Sequence, residues 1–384
     1  MATLHLKNFG PIKDSTRIVL TPFVLLLGPQ SSGKSSFMKV FSYCRWIEKK
    51  AMTSYEDVLK HFKSNDNFIN ELKKFHRLDG GFFNERTGIT YNGDYIDIKY
   101  SGKSGTTSIT KRKDFNGAPY NSKISYIPAE RNLVSALRDV TKTYKTTEID
   151  NVFNFIREWE EAKRNYTADK PFNLSLPGAY KYINVSGEDM ISLDGTTMIS
   201  SFYASSGVQS IMPVDVMTSH YMGMVGKTAN FSIKDLFQQG DSTKTPDRLI
   251  YQSTQLFIEE PEQNLFPETQ KTLVFNICRK LNEALAKGRK QSSVFITTHS
   301  PYILSVINVL MRYSESIGDY PELGANLDKS VLLPAGSYSA YYIDDGKFKN
   351  ILDSEIPMFG GNDLDGISDW VDECIDKLNL AIYG

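Results

Sequence analysis

The chain contains little cysteine and has no excess of charge of either sign. Its three cysteines, Cys44, Cys278 and Cys374, lie far apart among 384 residues and never form a CxxC spacing. An odd number of thiols at such distances supports neither a disulfide framework nor a zinc site, and it fits a reducing cytoplasm. The 44 Lys and Arg residues nearly balance the 45 Asp and Glu residues. No overall basic field attracts nucleic acid or an anionic membrane, so any DNA contact must be a local patch.

Long hydrophobic runs, heptads and repeats are also missing. The longest apolar stretch, residues 18–27, includes Thr21 and Pro22 and is far shorter than the roughly 20 residues of a membrane helix. The N-terminus does not resemble a secretory signal, because no cationic start leads into an apolar run. The hydrophobic and charged fractions, 40% and 23%, are those of a folded globular protein. We therefore expect a cytoplasmic protein without membrane insertion.

Periodicity along the chain predicts an α/β fold with a mixed central sheet, an antiparallel β lobe and an inserted helical lobe. Residues 23–27 form a continuous apolar run that suits a strand buried on both faces. Residues 88–111 alternate around Asn92-Gly93, which predicts hairpin strands in a small antiparallel sheet. Further strands are expected at 124–127, 178–203 (with a turn at Asp194-Gly195), 256–258, 294–297 and 330–349. Further helices are expected at 45–76, from 207, at 267–287, from 301 and at 367–378.

We expect one domain over residues 1–384, made of four parts. The parts are 1–44 with 80–135 (N-terminal core and β lobe), 45–79 (helical insertion), 136–225 (helical lobe) and 226–384 (C-terminal core).

The strongest motif is GPQSSGKS at residues 28–35, which matches the phosphate-loop pattern at every fixed position. A buried strand precedes it and a helix follows it, so backbone N–H groups and the helix N-terminus would surround nucleotide phosphates. Lys34 would neutralise phosphate charge, and the Ser35 hydroxyl would bind Mg²⁺. A glycine-rich turn without nucleotide is the alternative. The predicted ATP-binding residues are Gly28, Pro29, Gln30, Ser31, Ser32, Gly33, Lys34, Ser35 and Ser36.

A second strand ends in acidic residues, in the sequence LFIEEPE at 256–262. A carboxylate at a strand end beside the phosphate loop can hold Mg²⁺, and its neighbour can polarise the attacking water. We assign Glu259 to the metal and Glu260 to the water. Acidic residues that merely begin a helix are the alternative, since they complement the helix dipole. The pair extends the prediction from nucleotide binding to hydrolysis.

Two further segments, ASSGVQ at 204–209 and VFITTHSP at 294–301, follow predicted strands and open helices. The first would form a second anion site from hydroxyls and a helix N-terminus, although a simple serine helix cap is the alternative. The second places His299 just past a buried strand, where it could contact the γ-phosphate and sense its loss. A structural histidine is the alternative there.

The order of phosphate loop, SSGxQ, IEEPE with a following NLFP turn, and TTHSP resembles the ABC-type AAA ATPases related to the OLD family, RecF and the SMC proteins. LHLKNFGPIKD at the N-terminus and YIPAER at 126–131 also resemble that group. The resemblance implies ATP and Mg²⁺ as cofactors and a head-to-tail homodimer. In that dimer a signature segment contacts the γ-phosphate bound by the other copy. The signature residues would be Ser205, Ser206, Gly207 and Gln209.

The sequence departs from this group at several positions. Gln30 stands where relatives usually have Asn, and Glu259 replaces the Asp of transporters. Asn264 and Phe266 replace two histidines of the OLD-like turn. Arg131 is a weaker candidate for a metal-proximal contact, with a buried structural ion pair as the alternative.

The resemblance favours an ATP-driven dimerising switch that controls DNA engagement or a separate effector, such as a nuclease or toxin, in bacterial anti-phage defence. A RecF-like DNA-repair clamp is the alternative, and a transporter-coupled ATPase is a third. A Toprim nuclease within this chain is disfavoured, because Asp363-Leu364-Asp365 lies too near residue 384 to complete such a domain.

DNA itself is a candidate partner through local basic groups, with a solvated surface as the alternative. The candidate contacts are Lys111, Arg112 and Lys113 near the hairpin tip, and Lys142, Lys145, Lys163 and Arg164 on the helical lobe.

Overall fold

The computed structural model describes most of the chain. The described residues are 1–62, 67–137, 140, 144, 149–193, 195, 197–229, 250–320, 322, 328–353, 356, 358–360 and 374–377. Lys142, Lys145, Asp194 and the Asp363-Leu364-Asp365 segment, all considered above, lie outside them.

The described chain alternates strands with helices, as the sequence predicts. The strands are β1 (Thr3–Phe9), β2 (Ile12–Asp14), β3 (Ile18–Val19), β4 (Phe23–Leu27), β5 (Gly88–Asn92), β6 (Ile96–Ser101), β7 (Thr106–Lys111), β8 (Asn121–Ile127), β9 (Phe172–Asn173), β10 (Lys181–Val185), β11 (Glu188–Ser192), β12 (Met198–Ser200), β13 (Tyr251–Glu259), β14 (Ser293–Thr298), β15 (Tyr338–Asp344) and β16 (Lys347–Asn350). The helices are α1 (Lys34–Thr53), α2 (Tyr55–Phe62), α3 (Asn67–His76), α4 (Leu133–Ala136), α5 (Asn151–Lys163), α6 (Ser206–Met222), α7 (Pro267–Lys287) and α8 (Pro301–Ser316).

A large mixed sheet organises the molecule. Its strand order is β7-β6-β5-β1-β2-β16-β15-β4-β14-β13-β8, with β3 paired to β1. The run β15-β4-β14-β13-β8 is parallel, whereas β1 and β5 to β7 pair antiparallel. This arrangement confirms the predicted α/β class with a mixed sheet.

Both faces of the parallel run are buried, as its apolar sequence predicts. Along β4, Phe23, Leu25 and Leu27 join one hydrophobic cluster, together with α5, α6, α7 and α8. Val24 and Leu26 point the opposite way and join a second cluster with α1 and α3. Successive strand residues face opposite sides of a sheet, so the helices cover β4 from both sides.

The structure refines several predicted elements. Strands β5 to β7 are antiparallel but do not form a separate sheet, because β5 pairs with β1 and extends the central one. Residues 178–203 form strands β10 to β12, which make a second, four-stranded sheet with β9. Helix α1 runs to Thr53 without a break, so the proposed subdivision at residue 45 falls within it. Of the expected helix at 367–378, residues 374–377 are described and helical.

Candidate functional site

The phosphate-loop motif connects the buried end of β4 to the first turn of α1. Three of its residues have left-handed backbone angles, with φ of 147° at Gly28, 61° at Ser31 and 104° at Gly33. A side chain on Gly33 is also excluded, since a Cβ there would lie 2.7 Å from Cγ1 of Ile12. Glycine tolerates such angles at little cost. The loop therefore curls tightly and directs its backbone toward the helix N-terminus, which forms an anion-binding concavity.

Lys34 lies buried under this loop. Its Nζ donates hydrogen bonds of 2.7 Å to the carbonyls of both Gly28 and Pro29. Burial lowers the pKa of Lys34, and the charges of Glu260 and Glu262 oppose that shift. An ammonium has three N–H donors, so one N–H is left for a phosphate. Pro29, Gln30 and Ser31 are exposed at the loop tip, whereas Ser35 and Ser36 are half-buried in the first helical turn.

The parallel strands bring the distant motifs to one edge of the sheet. Strand β14 lies between β4 and β13, with Thr298 opposite Leu27 and Thr297 opposite Glu259. Ligands of open α/β sheets bind beyond the carboxyl ends of the strands. We call residues 28–36, 259–262 and 298–299 together the nucleotide edge.

Glu260 has a strained backbone, with φ of 40°. Its N–H donates to the carbonyl of Thr297 at 2.9 Å, and its carboxylate accepts a hydrogen bond of 3.1 Å from Nε2 of Gln263. A non-glycine residue at positive φ costs about 1–3 kcal/mol and persists where the surroundings enforce it. The carboxylate is thereby held at the nucleotide edge, one quarter exposed.

Glu259 is buried and already makes two hydrogen bonds. Its two carboxylate oxygens accept from the hydroxyl of Tyr126 at 2.5 Å and from the N–H of Ala129 at 2.9 Å. Each carboxylate oxygen can accept more than one hydrogen bond, so the predicted metal role is compatible with these contacts and stays a prediction. Tyr126 and Ala129 belong to the YIPAER segment, which therefore supports the acidic strand directly.

Glu262 belongs to the nucleotide edge, although the sequence prediction gave it no role. Its Oε1 accepts from Thr298 Oγ1 at 2.7 Å and from the N–H of His299 at 3.0 Å. Nδ1 of His299 lies 3.4 Å from this oxygen and 4.0 Å from Oε1 of Glu260. The signal was present in the IEEPE motif, but only the pairing of β13 with β14 shows that its last acid meets the TTHSP segment.

Several buried polar atoms in or next to the nucleotide edge have no hydrogen-bond partner among the described residues. They are Ser32 Oγ, Glu262 Oε2 and Thr297 Oγ1. Buried polar groups are nearly always hydrogen-bonded, so such orphans fit a polar ligand. The part of the chain that the structure describes contains no cluster of three or more His, Cys, Asp or Glu suited to a metal. Mg²⁺ at nucleotide sites needs only one or two protein ligands besides phosphate, so Ser35 and Glu259 fit ATP with Mg²⁺.

The predicted signature, residues 204–209, begins α6. Ser205 caps the helix by accepting from the N–H of Val208 at 3.5 Å, and both Ser205 and Ser206 are exposed. Nε2 of Gln209 donates to the carbonyls of Ser201 and Phe202 at 3.0 and 3.1 Å. Gln209 therefore holds the preceding loop, while the two serines face outward.

Arg131 joins this helix to the acidic strand. Its fully buried guanidinium donates to the carbonyls of Ser210, Glu259 and Glu260, at 3.2, 2.8 and 2.7 Å. Burial lowers its pKa to about 10, and nearby glutamates, Glu262 first, oppose the shift. These partners are backbone carbonyls, so among the described residues Arg131 makes hydrogen bonds in place of the structural ion pair that was the alternative. Arg131 instead braces the strained Glu260 backbone.

A second link joins the signature to the turn after the acidic strand. Nδ2 of Asn264, a residue with φ of 59°, donates to Oγ of Ser210 at 2.9 Å. A Cβ on Gly207 would lie 3.2 Å from the Asn264 carbonyl. Glycine at this position therefore lets the helix N-terminus approach the turn closely.

Comparison with known proteins identifies the family. The model of the AAA ATPase domain matches residues 99–304, more than half of the chain. The chain belongs to the AAA ATPase domain family. Membership agrees with the ATPase class that the motifs predict. The match begins after the phosphate loop, so residues 28–36 support nucleotide binding independently of it.

Three solved structures illustrate what the chain is similar to. The SMC head domain from Thermotoga maritima is 11% identical, with 91% of this chain and 97% of that one covered and a TM-score of 0.38. The recombination mediator RecF is 11% identical, with the same two coverages and a TM-score of 0.35. The ATP-binding cassette of an ABC transporter in its ADP conformation is 10% identical, with 96% and 95% covered and a TM-score of 0.30. No curated protein matches the chain.

The predicted DNA contacts lie within the AAA ATPase domain, and they differ in exposure and in charge partners. Lys111 and Lys113 are exposed beside the β5–β6 turn, where Lys111 lies opposite Ile96. Arg112 instead pairs with Asp97 and Asp114, at 3.4 and 2.5 Å, which neutralises it locally.

On the helical lobe Arg164 is exposed. The prediction of Lys163 as a DNA contact on the surface is wrong, because Lys163 is buried and pairs with Glu160 at 2.5 Å.

No helix in the described part of the chain has both the length and the apolar character that a membrane span requires.

Proposed function

We propose that this AAA ATPase hydrolyses ATP with Mg²⁺ and that two copies close around two nucleotides to form a switch. The observation that carries the proposal is the nucleotide edge, where the phosphate loop, Glu260, Glu262 and His299 meet within one chain. A family-typical signature segment faces solvent beside it. We expect the switch to require both the nucleotide edge and the signature segment.

For hydrolysis, the chain supplies binding, charge and a base. The loop N–H groups and Lys34 bind and neutralise the phosphates. Mg²⁺, when bound through Ser35 and Glu259, adds further neutralisation of phosphate charge. Glu260 accepts a proton from the attacking water, and its carboxylate is positioned by Gln263 and by the Arg131 brace. His299 contacts the γ-phosphate and senses its loss. Its side chain lies beside the carboxylates of both Glu260 and Glu262.

For dimerisation, the support is the exposure of Ser205 and Ser206 at the start of a long helix. Hydroxyls and free N–H groups at a helix N-terminus bind anions. We propose that they contact the γ-phosphate held by a second copy. Closure would then depend on ATP, and hydrolysis would release it.

Glu260→Gln tests the proposal. We expect it to keep ATP binding, to lose hydrolysis by about 100- to 10,000-fold as for a missing general base, and to accumulate as a dimer in Mg-ATP. Hydrolysis is measured by phosphate release and the dimer by sedimentation velocity. Glu268→Gln, an exposed neutralisation at the start of α7, is the matched control. Unchanged hydrolysis in Glu260→Gln would refute the assignment of the base.

The target of the switch is DNA or a separate effector, such as a nuclease or toxin. Hydrolysis by the wild type with and without duplex DNA separates these, with Glu260→Gln as the blank. Stimulation by DNA supports DNA engagement, whereas hydrolysis indifferent to DNA supports a protein partner. The setting in anti-phage defence, the RecF-like repair clamp and the transporter-coupled ATPase stay predictions from the resemblance.

A further inference from the structure

A separate cavity lies between α1, α3, α5 and β8. Its volume of about 450 Å³ is within the range of small-molecule pockets, roughly 300–1,000 Å³. Its lining combines aromatic rings with three lysines and two glutamates. The rings that line it are those of Tyr43, Trp46, Phe75, Tyr126 and Tyr251. Tyr43 and Trp46 stack with their centroids 5.9 Å apart, so one wall is a flat aromatic surface.

One cation in this cavity forms no ion pair with the described residues. Lys123 pairs with Glu158 at 2.8 Å, but among the described residues no carboxylate forms an ion pair with Lys49. The Nζ of Lys49 lies 5.6 Å from the centroid of the Tyr251 ring. Burial and then the charge of Lys123 lower the pKa of Lys49 to about 8, and the charge of Glu158 opposes that shift. At neutral pH Lys49 is mostly charged, and a half-buried charge without an ion pair favours an anion.

His76 lines the cavity and carries a buried acceptor. His76 is almost fully buried, and its Nδ1 has no hydrogen-bond partner in the part of the chain that the structure describes. Its Nε2 lies 3.4 Å from Oγ of Ser42, whose hydroxyl donates to the carbonyl of Lys39. Burial keeps His76 neutral by lowering its pKa well below the usual value. With Nε2 donating to Ser42, Nδ1 is left as an acceptor.

We infer that this cavity binds a small aromatic anion that also carries an O–H or N–H donor. The anionic group pairs with Lys49, the donor reaches Nδ1 of His76, and the ring packs against the aromatic wall. Each of the three features of the cavity is satisfied by one part of such a molecule.

The cavity also touches the nucleotide edge through a single residue. The Tyr126 ring lines the cavity and lies 5.4 Å from the His76 ring, between centroids. The hydroxyl of the same tyrosine donates to Glu259. An occupant that shifts this ring changes the support of Glu259, so the cavity regulates hydrolysis. This regulatory step rests on the proposed function, whereas binding to the cavity does not.

Binding is tested on the full chain without nucleotide, by calorimetry and saturation-transfer NMR. The probes are 2-naphthoate, its 6-hydroxy derivative and the neutral 2-naphthamide. We expect both naphthoates to bind, the hydroxy derivative more tightly, and the amide to bind about tenfold more weakly because it lacks the charge. Equal affinity of naphthoate and amide, or no binding of any probe at millimolar concentration, overturns the inference.

Variants locate the site. Lys49→Met removes the charge at similar length and is expected to weaken naphthoate about tenfold, while Lys60→Met, an exposed change on α2, leaves affinity unchanged. His76→Phe should remove the advantage of the hydroxy derivative. Thermal melts and ATP binding check that each variant folds. If Lys49→Met fails to fold, the naphthoate and amide comparison on the wild type still decides the question.

The regulatory step has its own readout. We expect 6-hydroxy-2-naphthoate to change the Mg-ATP hydrolysis rate of the wild type and to have no effect on the residual rate of Tyr126→Phe. An unchanged wild-type rate at saturating probe overturns the regulatory step. If the probe binds but the wild type hydrolyses no ATP, the cavity assignment stands and the proposed function fails.

Discussion

The nucleotide edge and the signature segment are built in opposite ways. At the nucleotide edge, Lys34, Glu259 and Glu262 are buried, and parallel strands of one chain bring them together. In the signature segment, Ser205 and Ser206 are exposed. Gln209 bonds the carbonyls of the preceding loop, and Gly207 allows the helix to approach the turn at Asn264. The first region is assembled from buried groups within one chain, whereas the second exposes its hydroxyl groups at the surface.

The two regions are nevertheless mechanically connected. Arg131 bonds the carbonyls of Ser210 and Glu260, and Asn264 bonds Ser210 from the turn that follows the acidic strand. Movement of the signature helix therefore acts on the backbone of the proposed base. The comparison predicts that damage to the signature segment leaves ATP binding intact. Damage to the nucleotide edge or to the connection should affect both ATP binding or hydrolysis and dimerisation.

The largest expected effect is at the nucleotide edge. Lys34→Ala removes a charged donor to phosphate and leaves the Gly28 and Pro29 carbonyls without it. We expect ATP affinity to fall about 100-fold or more, as measured by calorimetry, and dimerisation to be lost with it. Lys60→Ala is the control. Retained tight binding by Lys34→Ala would disprove the phosphate-loop assignment.

The next effect separates the two regions. Ser206→Arg places a long cation on the exposed signature and should prevent the Mg-ATP dimer, while ATP affinity of the monomer stays within about twofold of the wild type. Sedimentation velocity and calorimetry measure the two. Ser108→Arg, on the exposed side of β7, controls for added charge. A normal dimer in Ser206→Arg would count against the signature role.

A smaller effect is expected from the connection. Arg131→Met removes the side-chain donor to three backbone carbonyls, of which the Glu260 carbonyl keeps the N–H of Gln263. The free energy of unfolding should fall by about 1–3 kcal/mol, and hydrolysis should decrease. Urea unfolding measures the first. Arg131→Lys should recover only part of the loss, because a lysine cannot bond several carbonyls in a fork. Arg157→Met, an exposed change on α5, should be near neutral.

The smallest expected effect is a pH dependence of the free energy of unfolding that arises from one residue of the signature helix, α6. Asp215 of α6 is buried and accepts from Ser175 and Asn276, and burial raises its pKa from 3.8 to about 6. Protonation of Asp215 therefore stabilises the folded state. This contribution is complete below about pH 4 and is lost as the pH rises through 6.

Relative to Asp215→Asn, the wild type should gain about 1–3 kcal/mol between pH 7 and pH 4, as measured by urea unfolding at both values. A difference that does not change with pH would show that Asp215 keeps an ordinary pKa.

Local features of the fold could be predicted from sequence, but strand pairing could not. The helix at Pro267–Lys287 was predicted to the residue, because proline begins it and glycine follows it. The β lobe was expected as a separate sheet, yet β5 pairs with β1. Alternation identifies a strand and its buried face, but it does not say which distant strand completes the hydrogen bonds.

Charged residues show the same limit. Lys163 and Arg112 count as surface cations in the sequence, but the structure pairs them with acidic residues. Glu262 had no predicted role, and the structure places it against Thr298 and His299. Such partners are selected by packing between elements that are remote in the chain.

The sequence by itself determined the phosphate loop, the acidic strand end and the α/β class. These features depend on contiguous residues: glycines where φ is positive, a lysine at the helix start and apolar runs of strand length. Only the tertiary structure decided the Arg131 brace, the Tyr126 contact with Glu259 and the cavity beside it. Each of these joins residues more than 30 positions apart, and such contacts exist only once the sheet has set which segments are neighbours.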